Sequence, residues 1–346
     1  MKLIFNLLVV VLTLIFSSCK KNTDTPATPE KPKHVYVALD LDGRAAYTKN
    51  DTTVFISTAR STVAGIFVKD GDVYAAGLLI QGLGSKAVYW KNGVETIITD
   101  NGFGPGFIPS DIVVNSAGEV IVAGITNIST VGSAAYWKNG TYTIVGATGV
   151  SSRVEEMVLS GNDIYLCGSE RVPVSNRTKA MIWKNNTKLL EYTSTVGEAW
   201  ASAIAISGTD IYAGGWDYNN TTNISKAVYW KNGILNNVSD GTRDEYCDGG
   251  IAVLGTDVYL LSNEYISTPT GSNTLTRYYK NGIPVLLTTG TNKTEGTSLA
   301  LYNNRVYVGA AAITSAGSKD PAIWKDGVYN VYPTTMRGWV KRIRVF

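Results

Sequence analysis

Carboxylates and aromatic rings are the chemistry this chain could offer a ligand. Glu155, Glu156, Glu198, Glu245, Asp248 and Glu295 are interspersed with Phe107, Trp200, Trp216, Tyr246 and Trp339. Rings flanked by carboxylates stack on sugar faces while the oxygens take hydroxyl hydrogen bonds, and the same combination anchors protein partners. The candidate ligand-binding set is therefore Phe107, Trp200, Trp216, Tyr246, Trp339, Glu156, Glu198, Glu245 and Asp248. An alternative needs no histidine: a paired-carboxylate glycosidase, which requires two of Glu156, Glu198, Glu245 and Asp248 to converge in a single pocket. Acids scattered around a rim describe a binding module instead. A purely structural reading also stands, in which the rings plug a channel entrance and the acids are solvated.

The rest of the inventory is negative. His34 is the single histidine, so Ser-His-Asp catalysis and His-rich metal sites are excluded. No GxGxxG follows a strand, and neither GxxxxGK[ST] nor CxxC occurs, which leaves nucleotide, phosphoryl-transfer and zinc chemistry without support. Asp40-Leu41-Asp42-Gly43 lacks the spaced ligands and terminal Glu of a calcium loop and reads as a turn. No catalytic residue, metal or cofactor is expected. The net charge is +3, and the one basic cluster, Lys341, Arg342 and Arg344, is too small for a nucleic-acid footprint. It reads as one strand's solvent and loop contacts. Cys167 and Cys247 lie two repeat units apart and read as buried small hydrophobes rather than a disulfide.

The N-terminus carries different information. Met1-Lys2 is a positive start, Leu3 to Phe16 is apolar but for Asn6 and Thr13, and Ser17-Ser18-Cys19 follows. The run is too short for a membrane span of roughly 20 residues and matches an export signal. Phe16-Ser17-Ser18-Cys19 resembles a bacterial lipobox, although Phe16 replaces the usual Leu. Residues 1–18 are thus expected to be a lipoprotein signal peptide. Cys19 would be the lipidated residue, 19–33 a solvated tether rich in Lys, Thr and Pro, and 34–346 a single domain. Lys after the cysteine resembles outer-membrane sorting, with the periplasmic or surface side left open.

A repeat organises that domain. Seven copies of one phrase recur, the best preserved being AVYWKNG at Ala87–Gly93 and Ala227–Gly233. The copies end at Asp51, Gly93, Gly140, Asn186, Gly233, Gly282 and Gly327, spacings of 42 to 49 residues. With 35 glycines and 20 tyrosines, the composition is all-β. Each unit reads as four strands joined by tight turns, Asn-Gly or Asp-Gly between the third and fourth. Four strands at this period predict a β-propeller of seven blades. The first unit lacks an opening strand, and Arg342–Phe346 supplies it from the other end, closing the ring. Six blades is the alternative, if the first copy, AAYTKND with Thr48 at the Trp position, fails to form its own sheet. The recurring Trp90, Trp137, Trp183, Trp230 and Trp324 are expected between blades as packing anchors.

Connectivity sorts the links into two faces. Turns from first to second and third to fourth strands are short and alike. The opposite face carries segments 78–85, 169–179, 216–225 and 263–276 and the blade-to-blade links, which are long and dissimilar and so mark the binding side. The phrases SGTDIYAGG and AVYWKNG resemble those of bacterial exported repeat proteins, mostly lipoproteins of unassigned role, and the W-x-N-G core is similar to the HAF-type extracellular repeat. The resemblance covers nearly all of the chain from His34 onward and implies a propeller and an exported location, with no catalytic residues to carry over. The expectation is a membrane-anchored, non-enzymatic propeller that binds a glycan or a protein through its loop-rich face. A scaffold subunit of an envelope complex is the other reading.

Overall fold

The computed structural model describes residues 34–99, 106–127, 131–269, 271–290, 293–313, 319–325, 327–332 and 336–346. The expected signal peptide, Cys19, the tether and Asp326 lie outside these residues. Seven antiparallel sheets follow one another along the chain. In each, the first strand is innermost and the fourth lies at the rim. Blades II to VII begin at Ser61–Lys69, Phe107–Val114, Ser152–Ser160, Gly197–Ser207, Glu245–Tyr246 with Ile251–Leu254, and Lys293–Tyr302. Blade I is assembled from both ends. Its second strand, Val35–Leu41, pairs antiparallel with Gly338–Val345, which serves as its innermost strand. Closure is therefore as the sequence predicts, over a ladder longer than Arg342–Phe346.

The repeated phrase builds one local device. Asn92, Asn139, Asn185, Asn232 and Asn281 adopt φ near 50°, and most are followed by a left-handed Gly, the geometry of a two-residue hairpin turn. In blade II the Asn92 Oδ1 accepts from the Val73 N–H (2.8 Å) while its amide donates to Asp72 (2.7 Å). Lys91 pairs with the same Asp72 at 2.8 Å and lies over the Tyr74 ring. The same arrangement recurs at Asp163, Lys184 and Asn185, at Asp210, Lys231 and Asn232, and at Asp257, Lys280 and Asn281. It staples the third–fourth turn to the start of the second strand. The preceding Trp90, Trp183, Trp230 and Trp324 are buried in the cores between sheets, as packed faces require.

Blade I is complete, so the six-blade alternative falls. Its Thr48 occupies the Trp position and is fully buried, and Tyr332 from blade VII fills the space, with hydroxyls 3.3 Å apart. Cys167 and Cys247 are buried free thiols. The segments taken as long loops are mostly strand. In blade II the second strand extends to Gln81 and the third starts at Gly84, in blade V Asp210–Asn219 faces Ile224–Lys231, and in blade VI Asp257–Thr268 faces Gly271–Lys280. Hairpin arms continue the ladder above the sheet because each backbone group finds its partner across the arm.

Candidate functional site

The innermost strands share an irregularity that aims one residue from each blade at the ring axis. Pairing with the second strand skips Ala64, Ser110, Glu155, Ser202 and Thr297 in blades II, III, IV, V and VII, and Lys341 in blade I. A β-bulge leaves the extra residue outside the ladder and turns its side chain. Blade VI goes further: its innermost strand breaks between Tyr246 and Ile251, and Asp248 and Gly249 occupy the gap. These residues, with Pro109, Arg153, Trp339, Val340 and Arg342, line one central cavity of about 360 Å³. That is the size of a small-ligand site.

Glycines opposite the bulges make them possible. A Cβ on Gly77, Gly124, Gly168 or Gly215 would fall onto the carbonyl oxygen of Thr62, Ile108, Arg153 or Trp200. The glycine in phrases such as YAGG is therefore a mark of close backbone approach. It is the sequence signal that could have located Ser110, Glu155 and Ser202, residues the acid-and-aromatic search passed over or treated as background.

Two charge layers distinguish the cavity wall from its floor. At the floor, Arg342 reaches from blade I across the axis to Glu156 of blade IV, 2.7 Å from Nη1 to Oε1, and Arg344 stands 3.8 Å from both Glu156 and Asp111. Glu156 Oε2 also accepts from the Ile204 N–H, and Asp111 Oδ2 from that of Met157. Burial pushes the Glu156 carboxyl up, against the pull of Arg342 and Arg344. The reading of Arg342 and Arg344 as solvent contacts is thus corrected: Arg342 is buried and Arg344 half-buried, because alternation on a central strand turns both toward the floor acids. Higher on the wall, Lys341 pairs with Asp40 (3.3 Å) and Glu155 with Arg153 (2.6 Å). Asp248 has no basic partner among the described residues. It is open to the cavity yet ringed by protein, and burial together with the neighbouring Glu295 charge raises its carboxyl to about 6.

The aromatic candidates divide. Trp200 and Trp216 are cross-strand partners on the blade V arm and stack with centroids 5.8 Å apart and planes 15° from parallel. Tyr246 meets the Trp216 ring edge-on (5.7 Å, 79°), and Tyr265, absent from the sequence-derived set, continues the row against Tyr246 (5.6 Å, 76°). Trp200 Nε1 donates to Glu155 at 3.2 Å, and Arg153 lies over its ring. Trp339 is half-buried at the cavity wall, with Lys319 and Lys341 ammonium groups 3.9 and 4.0 Å from its centroid. Phe107 is a correction: it is fully buried against Tyr142, since it opens the innermost strand Phe107–Val114 itself and turns its ring into the core between blades. It presents nothing to a ligand.

The acids divide too. Glu245 is buried, accepting from Ser262 (2.6 Å) and Tyr279 (2.9 Å), and Glu198 accepts from Thr178 (3.0 Å). Glu156 belongs to the floor. Of the four acids proposed for a catalytic pair, only Asp248 lines the cavity wall. Glu155 shares that wall, with Oε1 held by Arg153 and Trp200.

No family model matches this chain, and no curated protein matches it. Solved structures do. The β-propeller domain of the Trilobed protease from Pyrococcus furiosus is 12% identical, with 88% of this chain and 96% of that one covered and a TM-score of 0.52. A puromycin-hydrolyzing peptidase from Mycobacterium tuberculosis is 11% identical over 81% of this chain and 48% of its own, with a TM-score of 0.51. TolB from Acinetobacter baumannii is 8% identical over 74% of this chain and 65% of its own, with a TM-score of 0.47. This chain thus spans about half of the peptidase and just under two thirds of TolB. At such identities the likeness to the Trilobed protease domain and the puromycin-hydrolyzing peptidase is one of architecture, and it agrees with the seven sheets in making the chain a β-propeller.

Proposed function

We propose that this chain is an exported, membrane-anchored lipoprotein whose propeller binds a glycan without turning it over. The observation that carries the reading is the central cavity. Seven blades each contribute to a polar wall, and an aromatic row from Trp200 to Tyr265 rises beside it on rigid arms. Hydroxyl donors of a sugar find acceptors at Ser202, Ser110 and Thr297, and the rings supply the apolar faces that sugar C–H groups favour. Glu155 is held through Oε1 by Arg153 and Trp200, and Asp248 accepts from the Asn263 amide without a basic partner among the described residues. Anchoring rests on the lipobox-like run ending at Cys19 and the polar tether that follows.

The reading is tested with the purified full chain on a glycan array, beside Ser202→Trp, which fills the cavity at a part-exposed position. Binding to a defined set of glycans, reduced at least about tenfold by S202W, is expected. Binding that S202W leaves intact places the site elsewhere, and a blank array with partners recovered from membranes favours the scaffold reading. Labelling of the chain by a fatty-acid probe, lost in Cys19→Ala, tests the anchor.

A further inference from the structure

Several rings of this molecule lie under a cation. Lys91, Lys184, Lys231 and Lys280 each lie over a second-strand tyrosine, Arg153 over Trp200, and Lys319 and Lys341 over Trp339. Among the described residues no Lys or Arg covers Trp216, Tyr246 or Tyr265, and Tyr246 meets each of the other two rings edge-on, at 79° and 76°. Two residues after Tyr246 stands Asp248, a carboxylate of the cavity wall that accepts from the Asn263 amide and has no basic partner among the described residues. Blade VI also departs from the other six at this point, breaking its innermost strand where they make a single bulge.

We propose that the glycan bound in the cavity carries a free amino group, whose ammonium lies between the Asp248 carboxylate and the rings of Tyr246 and Tyr265. The inference rests on the glycan reading above. An ammonium offers three N–H donors and a full charge. Carboxylate and ring faces together meet both needs, whereas a hydroxyl or an acetylated nitrogen leaves the Asp248 charge uncompensated. The cations on the same wall, Arg153, Lys341 and Arg342, are paired with Glu155, Asp40 and Glu156. Glu295 lies close enough to raise the Asp248 carboxyl and is itself only 3.4 Å from Lys319, and Glu155 adds a weaker like-charge effect. The Tyr265 hydroxyl is pushed up by burial and by both Asp248 and Glu295, so it stays protonated, a donor beside the two carboxylates. A deacetylated hexosamine is the ligand class this combination fits.

The test is calorimetric titration of the full chain at pH 6.5 with a glucosamine trimer, the N-acetylglucosamine trimer, cellotriose and trialanine. The glucosamine trimer is expected to bind at least about tenfold more tightly than the other two sugars. Asp248→Asn should abolish that preference while cellotriose binding persists, and Tyr265→Leu should reduce it. Equal affinities for the three sugars overturn the ammonium site and leave the glycan reading standing. Loss of cellotriose binding in D248N, or an amine preference that survives it, overturns the role of Asp248. No binding by any sugar overturns the glycan reading, and trialanine binding alone overturns both.

Discussion

Asp248 is where the molecule accepts a local cost. Its carboxyl titrates near 6 against an ordinary value of 3.8, because protein surrounds it and Glu295 repels it. A carboxyl raised on folding favours the folded state only while protonated. Its ionisation therefore begins to oppose folding as pH rises above the unfolded value, and the whole penalty is present beyond about 6. Since more than a third of Asp248 still meets water, screening reduces the penalty to the order of 1 kcal/mol. Asp248→Asn should accordingly stabilise the fold by about that amount at pH 8 and by almost nothing at pH 3.5, read from urea midpoints. A loss of stability at pH 8 would mean that the ionised form is held by a partner and is not strained. Natural sequences keep such costs chiefly at sites of function.

At the scale of strands, bulge and glycine act together. Gly215 stands where a Cβ would meet the Trp200 carbonyl oxygen, with the buried Trp230 ring also close, and this leaves nowhere for a methyl group to go. Gly215→Ala should cost about 1–3 kcal/mol by forcing the ladder apart. It should also displace Trp200 and Ser202, weakening any cavity ligand beyond what the stability change explains. Glycan affinity measured well below the melting transition separates the two effects, and unchanged affinity would show that the bulge does not position the wall. The same elements show what a sequence can tell. The Asn-Gly turns and Trp anchors were legible because each is a local rule repeated in blade after blade, so the fold and its closure could be read directly. Bulges were not, because a skipped residue is a relation between two strands and leaves only a glycine as its trace. The arms around Trp216 and Tyr265 looked like loops for a related reason: above the sheet they have no core face to impose alternation. Phe107 was misplaced because it opens the innermost strand itself, whose alternation decides which way a ring points.

Over the whole molecule, ring closure depends on charge as well as on strand pairing. The last strand completes blade I through backbone bonds, yet its Arg342 spans the axis to Glu156 in blade IV and approaches Asp111 in blade III. The last strand is thereby tied at one point under the cavity to two neighbouring blades far from it in the chain. A buried pair contributes little net stability against a hydrophobic replacement, but removing one partner strands the other's charge. Arg342→Ala leaves Glu156 and Asp111 with Arg344 alone, 3.8 Å from each. It should therefore cost about 3–5 kcal/mol at pH 7, with Glu156 taking up a proton to relieve part of it. Because burial already pushes the Glu156 carboxyl up, that relief grows as pH falls, and the variant's deficit should shrink toward pH 4 while the parent loses its own ion pairs. The double variant R342L/E156L, which removes both charges and refills the space, should recover much of the loss. Urea melts of the three chains across pH decide the matter. If R342A costs no more than an exposed arginine would, closure lies in the strand ladder alone, and the floor charges serve the cavity above them rather than the ring.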